Sequence, residues 1–278
     1  MKVLYDQVSA KISKCITRKY STSFSLGIYM LEKQIHAPIY SIYGFVRLAD
    51  EIVDSFHGYD KKNLLNKFRK DTEDAISEKI STNPVLHAFQ ATVNDFGIKG
   101  ELIHTFLDSM EMDLTRKDYD QVSFEKYILG SAEVVGLMCL QVFVNGNDNE
   151  YERLKPAAKK LGAAFQKVNF LRDLRADFSD LGRSYFPQVN LRQLSVEDKL
   201  KIENSIQEDF DLALEGIKKL PRCARLGVYT AYVYYYQLFR KIKHTPPTLI
   251  MQRRIRISNP RKLYLLFKSY ITFNFRLV

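Results

Sequence analysis

The chain has 278 residues with a 46% hydrophobic fraction, 12 Gly and 8 Pro: enough for one large domain or two small ones, and too few turn formers for a barrel or sandwich. Three scattered cysteines without C-x-x-C spacing (Cys15, Cys139, Cys223) argue against a disulfide framework or zinc site and suit a reducing compartment. A net charge of +10 points to an anionic partner: a phosphorylated small molecule, a membrane surface or nucleic acid.

Apolar residues recur at spacings of three and four. They predict helices over 3–18, 38–57, 60–80, 84–95, 98–113, 123–144, 149–178, 197–218, 222–242 and 259–274, in one all-α domain covering 1–278. No internal repeat, low-complexity tract or Gly/Ser linker divides it. The N-terminus lacks a signal-peptide apolar region, and no run of about 18 apolar residues occurs. The expected location is cytoplasmic, with peripheral contact on the inner face of the membrane.

In the segment 38–57, Pro38 suits the first turn. Ile39, Ile42, Val46, Ala49, Val53 and Phe56 form one apolar stripe. Tyr43, Arg47, Asp50 and Asp54 form a second stripe roughly 100° away. A solvated face would oppose the core; this one flanks it, as a cleft-lining face does. Cys139, in the apolar run 134–144, reads as a small core residue.

The segment 157–178 repeats the design. Leu161, Ala164, Val168, Leu171 and Arg175 share one side, while Gly162, Gln166, Asn169, Asp173 and Asp177 share another. The glycine at the head of that polar stripe is expected to leave room for an approaching group. Further on, Pro221 separates the last two long helices but one. Arg253, Arg254, Arg256, Arg261 and Lys262 then alternate with apolar residues, which suits a membrane surface as well as nucleic acid.

Each acidic stripe places two carboxylates at i and i+4, a spacing mildly unfavourable without a shared cation. Oxygen donors without His or Cys favour Mg²⁺, which bridges one or two carboxylates to substrate phosphates. Arginines bracket both stripes (Arg47; Arg172 and Arg175), and a guanidinium fork pairs phosphate oxygens. The plainer reading of these pairs is intrahelical Arg–Asp salt bridges. Carboxylates, metal and arginine together suit the departure of an allylic diphosphate. The resulting carbocation needs a dry, aromatic-lined cavity, for which Tyr20, Phe24, Tyr43, Tyr127 and Tyr232 are candidates among 17 Tyr and 18 Phe.

These motifs resemble the squalene/phytoene synthase family, and the resemblance runs through nearly the whole chain. It rests on Tyr20–Ser25, on Tyr43–Asp54, on Tyr127-x-x-Gly130-Ser-Ala132-x-Val134-Val135-Gly136, and on Asn169–Asp177 followed by Gly182-Arg183-x-Tyr185-x-Pro187. It implies an isoprenoid-synthase-type helical bundle with a central cavity, joining two prenyl diphosphates head to head through a cyclopropylcarbinyl diphosphate. By resemblance, Asp50, Asp54, Asn169, Asp173 and Asp177 bind two or three Mg²⁺ ions. Ser21, Ser23, Phe24, Tyr43, Arg47, Gln166, Arg172 and Tyr232 hold substrate, and Tyr127, Arg183 and Tyr185 serve the rearrangement or proton loss. Tyr20, Thr22 and Glu133 depart from the family pattern. Glu133 is read as a general base or, by preference, as the partner of an arginine.

The leading expectation is phytoene formation from two geranylgeranyl diphosphates without NADPH. The alternative within the family is squalene or dehydrosqualene formation from farnesyl diphosphate. A reading of another class, a basic all-α nucleic-acid or membrane-binding protein, predicts salt-sensitive binding and no diphosphate release. Prenyl diphosphates are the expected partners, with a membrane contact at Arg253–Arg256 and no nucleic acid.

Overall fold

The computed structural model describes residues 2–115, 118–179, 185–187, 189 and 194–274, with the side chains of 176–179 and 274 left aside. The described residues form an all-helical bundle without strands. In chain order the helices are α1 (Lys2–Tyr20), α2 (Thr22–Tyr29), α3 (His36–Asp54), α4 (Lys61–Glu78), α5 (Pro84–Phe96), α6 (Gly100–Thr115) and α7 (Gln121–Ile128). A π-turn over Leu129–Glu133 joins α7 to α8 (Val134–Phe143). Then come α9 (Asp148–Ser179), α10 (Val196–Lys219), α11 (Arg222–Lys243), the short α12 (Pro247–Ile250) and α13 (Asn259–Asn274).

Local chemistry explains most boundaries. Asn83 accepts from the backbone N–H groups of Val85 and Leu86, Pro84 opens α5, and Gly97 closes it with φ of 65°. Asp60, Asp120 and Ser195 cap α4, α7 and α10 in the same way. The segment before residue 38 contains a helix that periodicity did not predict. Ser21 is extended (φ −142°, ψ 101°), and its side chain accepts from the N–H of Phe24, ending α1 and starting α2. Eight residues are too few to show a clear 3.6 period. The helix is fixed instead by packing on α11, where a Cβ at Gly227 would lie 2.7 Å from the Gly27 carbonyl oxygen.

The core is continuous. Phe45 of α3 is fully buried and stacks on Phe89 of α5 at 3.9 Å between ring centres, with Phe106 of α6 at 5.5 Å. The run Gln121–Phe143 is long and apolar enough to cross a membrane by length and composition, in contrast to the expectation that no such run exists. Half of its most apolar window is buried within the fold. It packs against α3, α6 and α9, the environment of a core helix.

This run is one predicted helix but two observed ones. In a π-turn the hydrogen bonds span five residues, so each residue turns less than in an α-helix. Tyr127, Ser131, Val135, Cys139 and Phe143, spaced by four, all reach the central cavity. A straight helix would rotate them away by about 40° per step.

Gly162 has a different reason than expected. It reaches the cavity wall, but the space beside it is taken by protein: a Cβ there would lie 2.7 Å from the Ala132 carbonyl oxygen and 3.0 Å from the Cα of Glu133. The glycine lets α9 close on the π-turn. Gly162→Ala is therefore expected to cost about 1–3 kcal/mol through overpacking, read as a lower urea midpoint with unchanged slope. A wild-type midpoint would show that the two elements are not held this tightly.

Candidate active site

The central cavity has a volume of about 880 Å³, towards the upper end of the ~300–1,000 Å³ usual for small-molecule sites. Its polarity is graded along its walls. On α9 the lining changes from Leu154, Ala158 and Leu161 to Gln166, Asn169, Arg172 and Asp173. On α3 it changes from Ile39 to Arg47, Asp50 and Asp54. Two helices whose cavity-facing residues are apolar early and charged late thus make an amphipathic chamber.

The charged part is built on guanidinium–carboxylate pairs. Arg47 bonds to Glu51 and lies 3.7 Å from Asp50. Its guanidinium sits over the ring of Tyr20, 4.3 Å from the centre. The Arg47 Nε is buried without a partner. On the facing helix, Arg172 holds Asp173 through contacts of 2.5–3.1 Å. Arg254, from the segment between α12 and α13, reaches the same carboxylate at 2.6 Å. Arg175 turns away and donates to the Gln252 carbonyl at 2.7 Å.

An aromatic belt follows. Phe24 packs on Tyr43 at 4.4 Å and on Tyr235 at 5.8 Å, and Tyr235 stacks on Phe165 at 4.0 Å. The hydroxyl of Tyr235 donates to Asn169 at 3.3 Å. Gln166 donates to Ser131 of the π-turn at 3.2 Å. A second group surrounds the buried Asp113 of α6, which accepts from Tyr127 at 2.6 Å and from Tyr119 and Tyr185 at 3.4 Å each. Burial first, and then the Asp113 charge, raise the pKa of Tyr127 well above its ordinary value, so this tyrosine stays protonated.

Of the residues expected from sequence, Ser21, Ser23, Phe24, Tyr43, Arg47, Asp50, Asp54, Tyr127, Gln166, Asn169, Arg172, Asp173 and Tyr185 all line this one cavity. Arg183 and the side chain of Asp177 lie outside the described residues. Tyr232 is corrected: it points to α10, packing on Phe210 at 5.4 Å and on Tyr236 at 5.7 Å. The cavity-facing side of α11 carries Gly227, Ala231, Tyr234, Tyr235 and Leu238. Tyr232 sits about 120° round from the middle of that face.

Cys139 is likewise a lining residue rather than a filler of the core, and burial pushes its thiol up to about 12. Glu133 is paired, with Lys159 at 3.0 Å in place of an arginine. Arg254 and Arg256, expected on a membrane face, border the cavity instead. Asp113, Tyr235 and Arg254 are the site residues that sequence reasoning missed.

The donor set suits a hard divalent cation: Asp50, Asp54, Asn169 and Asp173 offer only oxygen from their acidic and amide groups. Among the described residues no three acidic, Cys or His side chains converge on one point. Such an arrangement suits a cation held in part by phosphate oxygens of a ligand rather than in an all-protein cage.

Asp50 shows the cost of crowding carboxylates in this part of the chamber. Burial raises its carboxyl to about 8, against the pull of Arg47 and with the repulsion of Asp54 and Asp113. The raised carboxyl favours the protonated form near neutral pH, so a cation bound there is expected to displace a proton, and that release should fade as pH rises past about 8. Calorimetric titration with Mg²⁺ at pH 7 is expected to give enthalpies that vary with the ionisation heat of the buffer, an effect lost in Asp50→Asn. Identical enthalpies in all buffers would refute proton displacement from Asp50.

Residues 17–261 match the squalene/phytoene synthase family. The chain is 31% identical over 196 residues to the phytoene synthase of Mycobacterium bovis (strain ATCC BAA-935 / AF2122/97), covering 68% of this chain and 61% of that protein. It is 26% identical over 200 residues to the 4,4'-diapophytoene synthase of Staphylococcus haemolyticus (strain JCSC1435), covering 70% and 67%. In three dimensions it superimposes on a dehydrosqualene synthase crystallised with a ligand, with a TM-score of 0.81, 22% identity, and coverage of 97% and 98%. That likeness establishes the isoprenoid-synthase bundle as the fold.

Proposed function

The chain belongs to the squalene/phytoene synthase family, and from that premise we propose that it condenses two geranylgeranyl diphosphates head to head to phytoene. The observation that carries the reaction class is the graded chamber. Arginines and carboxylates occupy one part of its wall, aromatic rings the middle and aliphatic side chains the rest.

In the proposed reaction one allylic C–O bond breaks and diphosphate leaves. The cation alkylates the double bond of the second substrate, and proton loss closes a cyclopropylcarbinyl diphosphate. This intermediate loses its own diphosphate, rearranges, and loses a second proton to give the hydrocarbon, so no reductant is consumed. Arg47, Arg172 and Arg254 take the departing negative charge, and Ser21 and Ser23 at the start of α2 add donors. Phe24, Tyr43, Phe165 and Tyr235 shield the cation from water and present ring faces to it. Tyr127 and Tyr185, tied to Asp113, stand where the rearranging chain passes. Asp50, Asp54, Asn169, Asp173 and Asp177 would hold two or three Mg²⁺ ions, whose positive charge would offset that of the leaving diphosphate. We further propose a cytoplasmic protein in peripheral contact with the membrane.

Replacing Asp54→Asn or Asp173→Asn is expected to lower Mg²⁺-dependent pyrophosphate release by about 10²–10³, the scale for a group that stabilises developing charge. Helix content by circular dichroism should stay unchanged. Wild-type turnover in both variants would overturn the role given to the two acidic motifs.

A second reading, condensation of two farnesyl diphosphates, is favoured by the similarity to the diapophytoene synthase. Incubation of the purified chain with the C15 or C20 diphosphate, with and without NADPH, separates the two. The expected product is phytoene from the C20 substrate at a rate indifferent to NADPH. A C30 hydrocarbon alone would reject the geranylgeranyl assignment, and no pyrophosphate from either substrate would reject the condensation itself.

A further inference from the structure

Helix α13 is apolar on two opposite faces. Inward, Leu265 and Ser269 are buried and the helix packs on α11. Outward, Leu263 (64% exposed), Tyr264 (52%), Phe267 (63%), Tyr270 (50%) and Ile271 (37%) stand in solvent. At 100° per residue these five fall within an arc of about 120°, centred opposite the buried face. Single exposed apolar residues are ordinary, but a contiguous stripe of large ones is not.

Charge is distributed to match. The 63 residues after Glu215 hold 14 Lys or Arg and no Asp or Glu, whereas residues 1–215 hold 28 basic and 32 acidic residues. The whole positive excess therefore belongs to the C-terminal part. Arg261 and Lys268 border one edge of the apolar stripe, and Arg261 lies over the ring of Tyr264 at 5.0 Å. Asn259 and Lys262, in the first turn of α13, also line the central cavity, so the stripe begins at the cavity's rim.

We propose that the outer face of α13 is a docking helix for an anionic lipid bilayer. An amphipathic helix with Leu, Phe and Tyr on one face and Lys or Arg at its margins lies in the plane of a membrane interface. Basic residues near it add attraction to anionic headgroups. A second copy of the chain is disfavoured, because a symmetric contact would press two basic surfaces together. Docked in this way, the cavity rim faces lipid, and long apolar molecules pass between chamber and bilayer without crossing water. The docking rests on this surface alone; the passage rests on the condensation proposed above.

Flotation of the full chain with vesicles tests it. The protein is expected to float with vesicles of phosphatidylcholine mixed with phosphatidylglycerol, to stay behind with phosphatidylcholine alone, and to lose binding as salt rises. Leu263→Gln with Phe267→Gln should weaken binding by about tenfold or more. That pair should keep the wild-type melting profile and turnover of detergent-dispersed substrate. Val3→Gln with Leu4→Gln, which removes exposed apolar residues at the far end of the sequence, should leave binding unchanged.

Wild-type protein that fails to float, or an α13 variant that floats like wild type, overturns the proposal. So does an α13 variant that converts a dimer to a monomer by light scattering without changing flotation. Flotation lost in the α13 variant, in a chain that releases no pyrophosphate, would uphold docking while rejecting the condensation.

Discussion

Several carboxylates directed into one partly buried chamber repel each other, and each must be compensated or kept neutral. The arrangement at the charged end answers this requirement. Arg47 is held by Glu51 beside Asp50, Arg172 and Arg254 share Asp173, and Asp50 is driven towards its neutral form. Removing water makes each of these pairings stronger and each unpaired charge more costly. The segment after α12 contributes to the same compensation, since it brings Arg254 to Asp173.

Around this charged centre the other elements act as positioning devices. The π-turn sits between α6 and α9 at glycine contacts, where a Cβ at Gly130 would lie 2.7 Å from the Thr105 carbonyl oxygen. Its Ser131 meets Gln166, so the backbone irregularity and the second acidic motif are mechanically joined. The break at Ser21 does similar work for the opposite wall, swinging Phe24 onto Tyr43 and Tyr235. Both devices spend helical regularity to aim side chains inward.

The amphipathic geometry of α3 and α9 was readable from sequence because it is local. Once a helix is granted, its period alone places Arg47, Asp50 and Asp54 on one flank and Gln166, Asn169 and Asp173 on another. What was not readable depends on partners distant in the chain. Tyr234, Tyr235 and Tyr236 are consecutive, so composition gives no phase, and only packing of α11 on α2 and α10 selects Tyr235 over Tyr232. Asp113 lies in the last turn of an otherwise ordinary amphipathic helix, and its burial becomes visible only when Tyr119, Tyr127 and Tyr185 surround it. Arg254 lies where no periodicity exists. Gly162 was recognised as a close-approach position, but whether ligand or backbone fills the gap is a tertiary fact.

The π-turn also bears on how this chain can vary over evolutionary time. The underwound turn helps bring Tyr127 of α7 onto the same cavity-facing side as Val135, Cys139 and Phe143 of α8. Substitutions along that face change the shape of the chamber one side chain at a time and leave the frame standing. Because a π-turn accommodates one extra residue within a helix, loss of one residue there would convert it to ordinary α-helix and remove the bulge that carries Gly130 and Ser131. This stretch of the chain can therefore drift in spelling along α8, while a change in length would be felt first at the turn itself, where Ser131 meets Gln166.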